Sequence, residues 1–277
     1  MRSVLAFPLV RIVLIVAVFA IPFMLAVLAS RGHHSIWLSV AIAWFLAVAL
    51  LFSIALVERL TTGRRLAQVG FAPEHAVRDL LLGLVAGAAL FTIVMLELAL
   101  SGHYRVSAVA LTPDLAIAVL LLLPGAALEE MLFRGVLFRL VEESAGSWVG
   151  VIVSAVLFGA AHAANPGATW ISTVAIALEA GVLLAAAYIV TRTLWFPIGL
   201  HFGWNFFEGP IYGTQVSGGH LVGSVLAGHV SGPQWLTGGT FGPEAGVPAI
   251  VTSVIAAAIL LAYATSHGKL RPMRPIA

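Results

Sequence analysis

The sequence has 277 residues, of which 61% are hydrophobic and only 9% are charged. A soluble domain carries roughly 25% charged residues, so this composition indicates an integral membrane protein. The chain contains no cysteine, which excludes disulfides, thiolate catalysis and cysteine-ligated metals. The net charge of +2, without a long basic or acidic block, argues against nucleic acid as a partner.

Apolar runs of about 18 residues or more predict the membrane helices in chain order. Eight such segments lie near residues 12–29, 36–57, 79–100, 115–141, 148–164, 168–191, 195–208 and 247–265. The segment 195–208 is short for a full span, whereas 115–141 is long enough to project beyond the hydrocarbon. The first segment is long for the apolar part of a signal peptide, which favours a membrane helix over a cleaved leader. The predicted fold is an all-α membrane bundle forming one polytopic domain, residues 1–277.

Basic residues indicate the orientation, because short loops that carry them remain preferentially in the cytoplasm. With both termini inside, eleven basic residues lie on the inner side: Arg2, Arg11, Arg59, Arg64, Arg65, Arg78, Arg139, Arg192, Lys269, Arg271 and Arg274. Only Arg31 and Arg105 lie outside. The compact chain with short loops is typical of a protein of the bacterial plasma membrane. The glycine-rich stretch 209–246 then lies outside, and its length favours an ordered loop or a re-entrant segment.

Three charges stand close together inside the fourth segment: Glu129, Glu130 and Arg134. Each costs roughly 2.5 to 3.5 kcal/mol at the centre of a spanning helix unless it is paired or hydrated. Glu130 and Arg134 are four residues apart with the glutamate first, which favours an ion pair on one helix face. Glu129 points about 100° away and has no such partner. An intramembrane carboxylate without a partner is a candidate functional residue.

Two histidines fall within apolar segments, His162 and His201. Glu129 lies about 16 residues before the turn near 145–146 and His162 about 16 after it, so antiparallel helices bring them to one depth. Asn205 follows His201 by four residues and shares its helix face. Counted from the next inner turn, His201 and Asn205 lie shallower by a turn or more.

Each of these polar residues also has a purely structural explanation. A lone histidine in a membrane helix commonly bonds a neighbouring carbonyl, and an asparagine can join two helices. Taken together, these residues supply one carboxylate, two imidazoles and one amide from three helices. Such a set can provide a general base, a partner that orients it and two donors to an oxyanion.

The motifs in which these residues stand resemble those of one family. The strings "EEMLFR", "FGAAH" and "HFGWN" are similar, in order and spacing, to the EExxxR, FxxxH and HxxxN motifs of the CAAX-protease and bacteriocin-processing family (CPBP), the intramembrane glutamic endopeptidases. The resemblance is firm over about residues 115–208, the motif-bearing protease core. The string "GPQWLTGGTFGPEAG" also resembles a loop of bacterial members.

The resemblance implies a catalytic role for four residues. Glu129 would deprotonate the attacking water, and His162 would help to hold and polarise that water. His201 and Asn205 would stabilise the oxyanion of the tetrahedral intermediate. The site would lie in a cytosol-facing cavity formed by helices 4 to 7, without a metal or other cofactor. The expected substrate is a peptide or a membrane-tethered protein cleaved near the inner face.

Other residues are expected to support or border this site. The resemblance implies that Glu130 and Arg134 fix the helix and tune Glu129. Phe158, from the second motif, is a candidate for the substrate cavity. Glu179 lies within an apolar segment and either faces that cavity or packs against a tyrosine or histidine, of which packing is favoured. Glu208 lies near a helix end and is expected to be exposed.

Three other functions remain open. His162, His201 and Glu129 form a plausible set of zinc ligands, although no HExxH is present and a paired Arg134 nearby disfavours a cation. A transporter also needs polar groups near the bilayer midplane. A membrane scaffold or a bacteriocin-immunity protein would use the fold without proteolysis.

Overall fold

The computed structural model describes residues 2–32, 35–111, 114–220 and 223–273. Eight long helices follow one another in these ranges: α1 (Pro8–Ser30), α2 (Ile36–Thr61), α3 (Pro73–Leu100), α4 (Asp114–Ala145), α5 (Ser147–Ala164), α6 (Trp170–Thr191), α7 (Trp195–Phe206, continued by the π-helix Phe207–Ile211) and α8 (Val247–Ser266). All except α7 are long and apolar enough to cross a membrane. The prediction of an all-α integral membrane protein is confirmed.

Two predicted segments differ in length from the helices that they form. The predicted segment 195–208 corresponds to α7. This helix ends later than predicted, at Ile211, with a last turn that is π-helical. The segment 115–141 becomes α4, which continues to Ala145 and ends where Gly146 adopts a positive φ of 92°. That turn reverses the chain into α5.

Within the described residues, three of the long helices contain a π-helical stretch, and each stretch contains or directly follows a buried glutamate. Turns of this kind are rare and frequently occur at functional sites. No pattern in the sequence predicts them. The stretches are Met131–Phe138 after Glu130 in α4, Ala177–Val182 with Glu179 in α6, and Phe207–Ile211 with Glu208 in α7.

Helices α3 and α7 meet backbone to backbone, and this contact fixes the helix that carries the third motif. Each helix places two glycines four residues apart at the contact, a spacing that lets membrane helices approach closely. A Cβ on Gly87 would lie only 2.0 Å from the carbonyl oxygen of Leu200, which directly precedes His201. The four glycines are Gly83 and Gly87 on α3, and Gly199 and Gly203 on α7.

The 209–246 segment folds back against one end of the bundle. Its strand β2 (Leu226–Val230) pairs antiparallel with β1 (Tyr104–Val109), which lies between α3 and α4. Two side chains of the segment, Ser217 and Glu244, reach the interior of the bundle. The segment therefore both extends the helical core and closes it at this end.

Gly87→Ala tests the packing of α3 on α7. The added Cβ would overlap the carbonyl of Leu200, and overpacking of this kind costs about 1–3 kcal/mol or more. The unfolding midpoint in detergent is therefore expected to fall. Gly125→Ala in α4 is the matched control, because its Cβ would meet nothing within 4 Å and alanine is the better helix former. Equal midpoints for the two variants would contradict the close approach.

Candidate active site

The motifs meet at a small internal cavity between α5, α6 and α7. Its volume is about 20 Å³, which is enough for one water molecule. The 209–246 segment borders it through Ser217 and Glu244. The wall also contains His162, Glu179, His201 and Asn205, together with the ring of Phe158.

Glu129 lies beside this cavity and faces His162. Its Oε2 atom is 3.7 Å from His162 Nε2 and is buried with no hydrogen-bond partner among the described residues. The Glu129 side chain as a whole is 36% exposed, whereas that of His162 is 11% exposed. Counting residues from the turn between α4 and α5 predicts that Glu129 and His162 lie at one depth, and in the structure their side chains face each other.

The other nitrogen of His162 determines what Nε2 can do. His162 Nδ1 lies 2.8 Å from the carbonyl oxygen of Phe158. Because a carbonyl only accepts hydrogen bonds, Nδ1 carries the proton. In the neutral ring Nε2 is then an acceptor that faces a second acceptor, Glu129 Oε2. A water that donates to both, at distances of about 2.8 Å, satisfies the pair.

A second, fully buried network joins Glu130, Arg134 and His201. Arg134 Nη1 donates to Glu130 Oε1 at 2.7 Å, and neither side chain has any exposed surface. The ion pair expected from the spacing is therefore present. The same oxygen lies 3.0 Å from His201 Nδ1. Since the carboxylate accepts, Nδ1 donates, which leaves His201 Nε2 as the nitrogen available to a ligand.

Arg134 also connects α4 to α6 and to the second motif. Its Nη2 donates to the carbonyl oxygens of residues 180–181 in the π-helical turn, and its guanidinium lies 4.4 Å from the centre of the Phe158 ring. The ring of His162 lies 4.7 Å from that of Phe158, and the ring of His201 lies 6.0 Å from it. Phe158 is only 1% exposed, packs against both imidazoles and lines the cavity.

Two hydrogen-bond donors at the cavity have no partner among the described residues. Asn205 lies one helical turn after His201 and lines the cavity, and its amide makes no hydrogen bond to those residues. The indole nitrogen of Trp204 is buried and likewise unpaired there, and this residue also lines the cavity. Trp204 was not predicted as a site residue, because nothing in the sequence distinguishes it from the other apolar residues of α7.

The expected exposure of Glu208 is wrong. The side chain is fully buried and lies against the carboxyl group of Glu244. The reason is that α7 continues past residue 206 as a π-helix while the chain folds back over it. Thr214 donates to the backbone carbonyl of Glu208 from both its N–H and its hydroxyl.

Two other carboxylates lie at the cavity. Glu179 has Ser253 of α8 as its partner, with Ser253 Oγ 3.4 Å from Glu179 Oε2, and not the tyrosine or histidine that was expected. Glu179 therefore packs against α8 and also faces the cavity. Glu244, which lies in the string "GPQWLTGGTFGPEAG" but was not predicted as a site residue, accepts a hydrogen bond from Ser217 Oγ at 2.7 Å. Burial raises the pKa of the Glu244 carboxyl, and this hydrogen bond opposes the rise.

The geometry of a metal centre is not found in the described part of the chain. No three His, Asp or Glu side chains there are grouped closely enough to hold a metal ion. Of the three possible zinc ligands, His162, His201 and Glu129, His201 already uses its Nδ1 to hydrogen-bond Glu130.

One comparison points to a protein family. Residues 110–207 are similar to the model of the family described as type II CAAX prenyl endopeptidase Rce1-like. The match confirms the resemblance to the CAAX-protease family. Residues 1–109 and 208–277 lie outside the match. Comparison with curated proteins and with solved structures gave no match.

Arg134→Gln tests the buried network. Removing the guanidinium leaves the Glu130 charge buried without its partner, and breaking a buried pair in this way costs about 3–5 kcal/mol. The protein is expected to unfold at a lower denaturant concentration in detergent. Arg105→Gln is the control, because this arginine is exposed on β1. The double variant Glu130→Gln/Arg134→Gln should recover part of the loss, since no charge is left alone. An Arg134→Gln variant as stable as Arg105→Gln would contradict the role of the pair.

Proposed function

We propose that the protein is an intramembrane glutamic endopeptidase that hydrolyses peptide bonds of membrane-associated peptides or proteins with a water activated by Glu129. One observation carries the proposal: Glu129 Oε2 and His162 Nε2 are two facing acceptors 3.7 Å apart, beside a cavity that accommodates one water. A general base must reach the proton that it abstracts, and this pair reaches the protons of a single water.

In the proposed reaction, Glu129 takes one proton from the water while the water oxygen bonds to the scissile carbonyl carbon. The tetrahedral intermediate then collapses, the C–N bond breaks, and the proton held by Glu129 passes to the leaving amine. His162 keeps the water in place through Nε2. The Phe158 carbonyl holds the imidazole in the required tautomer.

His201 and Asn205 are the proposed donors to the oxyanion. The Asn205 amide is free to donate. His201 Nε2 donates only when the ring carries two protons, because Nδ1 is committed to Glu130. The Glu130 carboxylate stabilises such an imidazolium. Fixed donors aimed at developing charge are commonly the largest single contribution to catalysis.

The proposed reaction uses no metal or other cofactor. Glu129 and His162 together supply the base and the water position that a catalytic zinc would otherwise supply. Arg134, which lies in the same network, disfavours a second cation there. Glu130 and Arg134 act by positioning α4 and His201.

Substrate binding requires the site to open. A cavity of about 20 Å³ accommodates a water but not a peptide, so α7 or the 209–246 segment must shift to admit the scissile bond. Peptides and proteins already held in the bilayer are the proposed substrates, because the site lies among membrane helices.

The protein is proposed to lie in the bacterial plasma membrane with both termini in the cytoplasm, as its basic loops indicate. The direction of helix α6 shows on which side of the membrane the 209–246 segment lies in this orientation. It ends at Thr191 next to Arg192, whereas Gly167, three residues before it begins, packs on Thr240 of the 209–246 segment. The closing segment of the cavity then lies toward the outer face. This differs from the cytosol-facing cavity that the family resemblance implies.

Glu129→Gln tests the catalytic proposal, because the substitution keeps the shape and removes the base. With a quenched peptide library and purified protein in detergent, the rate is expected to fall by about 10²-fold to 10⁴-fold. Glu97→Gln, an exposed glutamate on α3, should retain the wild-type rate. A chelator should leave that rate unchanged.

The other outcomes discriminate between the alternatives. Equal rates for Glu129→Gln and the wild type would remove Glu129 from the mechanism. Loss of activity with chelator, restored by zinc, would support the zinc peptidase. A folded wild type that cleaves nothing in the library would favour a scaffold or an immunity protein.

Cysteine labelling tests the orientation, since the chain has no cysteine of its own. Ser101→Cys lies after α3 at the end where the 209–246 segment packs, and Ala67→Cys lies at the basic end, both at exposed positions. A membrane-impermeant maleimide should label Ser101→Cys in intact cells and Ala67→Cys only after permeabilisation. The reverse pattern would place the cavity on the cytoplasmic side.

A further inference from the structure

A second, larger cavity lies at the other end of the bundle from the 209–246 segment. Its volume is about 880 Å³. Four parts of the chain enclose it: the turn after α2, the end of α4, the junction of α6 and α7, and the tail after α8. Five cationic side chains of the described residues line it, namely Arg64, Arg139, Arg192, Lys269 and Arg271, together with two carboxylates, Glu142 and Glu143. We call it the basic cavity.

The two carboxylates neutralise only part of the charge of the basic cavity, because five cationic side chains line it. Glu142 accepts from Arg192 at 2.7 Å and from Ser147. Glu143 accepts from Arg64 at 3.0 Å and from Arg11 at 3.1 Å. Positive charge therefore remains in excess along the wall.

Several donors in the wall are still available. Arg271 is 52% exposed, and its closest acidic contact is a long one, 3.6 Å from its Nε to Glu142. Arg64 donates to Glu143 through both terminal nitrogens, but its side chain is 40% exposed and each of those nitrogens carries a second N–H. The Tyr188 hydroxyl lines the cavity and makes no hydrogen bond to the described residues. Two guanidinium groups and a phenol hydroxyl are suited to a tetrahedral oxyanion, since arginine binds phosphate with paired N–H groups.

The wall is held in place by contacts that do not involve these donors. Arg192 adopts a left-handed backbone conformation with φ of 57°, which a non-glycine residue keeps only when its surroundings hold it. Its side chain joins Glu142 to the backbone carbonyl of Lys269. The Ser147 hydroxyl accepts from the backbone N–H of Arg271 at 2.8 Å. The tail after α8 is thereby fixed against α5 and α6.

We propose that the basic cavity binds the phosphate of an anionic phospholipid headgroup. Basic pockets between membrane helices recognise such headgroups, and the cytoplasmic leaflet carries most anionic lipid. The cavity lies at the end of the bundle where the basic residues gather, so it opens at headgroup level. The proposal is independent of the peptidase reaction, because none of its residues lines the active-site cavity.

Native mass spectrometry of the purified full chain in detergent tests the proposal with phosphatidylglycerol as the probe and phosphatidylcholine as the zwitterionic reference. Phosphatidylglycerol should bind the wild type at least tenfold more tightly than phosphatidylcholine does. The double variant Arg64→Gln/Arg271→Gln should lose this preference. Arg105→Gln, which removes one charge at the opposite end, should keep it.

Equal phosphatidylglycerol binding by the double variant and the wild type would overturn the proposal, as would equal binding of the two lipids. Inorganic phosphate distinguishes the source of the ligand. If phosphate alone raises the unfolding midpoint of the wild type, and no lipid binds preferentially, the cavity takes soluble phosphate and the lipid proposal is wrong. If the double variant does not fold, Arg271→Gln alone is compared with Arg105→Gln, with a loss of preference expected only in the former.

Discussion

The candidate site depends on one buried ion pair, Glu130 with Arg134, which has no exposed surface. Such a pair is tolerated in an apolar interior only when its remaining hydrogen-bonding groups are also engaged. Arg134 engages the carbonyls of residues 180–181, and Glu130 engages His201. These contacts join α4 to α6 and to α7. The pair therefore sets the relative depth of three helices, and the groups that α6 and α7 turn toward the cavity depend on it for their position.

The same arrangement explains why Glu129 is chemically distinct from its neighbour. Glu129 lies one residue before Glu130, so its carboxylate points away from Arg134 and toward α5. There it faces the imidazole of His162, whose Nδ1 is already bonded to the Phe158 carbonyl. Glu129 Oε2 therefore has no donor among the described residues. A water that donates to both acceptors would stabilise this pair, and it would lie where the proposed base and its partner can act on it. The carboxylate of Glu130, which pairs with Arg134, and that of Glu129, the proposed base, are therefore about 100° apart around the helix axis.

Much of this could be predicted from the sequence because helix geometry is regular. The spans, the i to i+4 pairing of Glu130 with Arg134 and the shared depth of Glu129 and His162 all follow from counting residues. The contact of His201 with Glu130 joins residues 71 positions apart and is set by helix packing. The burial of Glu208 and Glu244 depends on how the 209–246 segment folds over α7, and its many glycines specify no single path. The π-helical turns arise from packing and have no sequence signature here.

The central claim is that Glu129 activates water and does not itself attack the substrate. A single turnover in H₂¹⁸O, with mass spectrometry of both the peptide product and the protein, tests it most directly. Direct attack by the activated water predicts one ¹⁸O in the new carboxyl group of the product and none in the Glu129 side chain. A first-turnover product without label, or ¹⁸O in Glu129, would show that the carboxylate forms an acyl intermediate and would contradict this account.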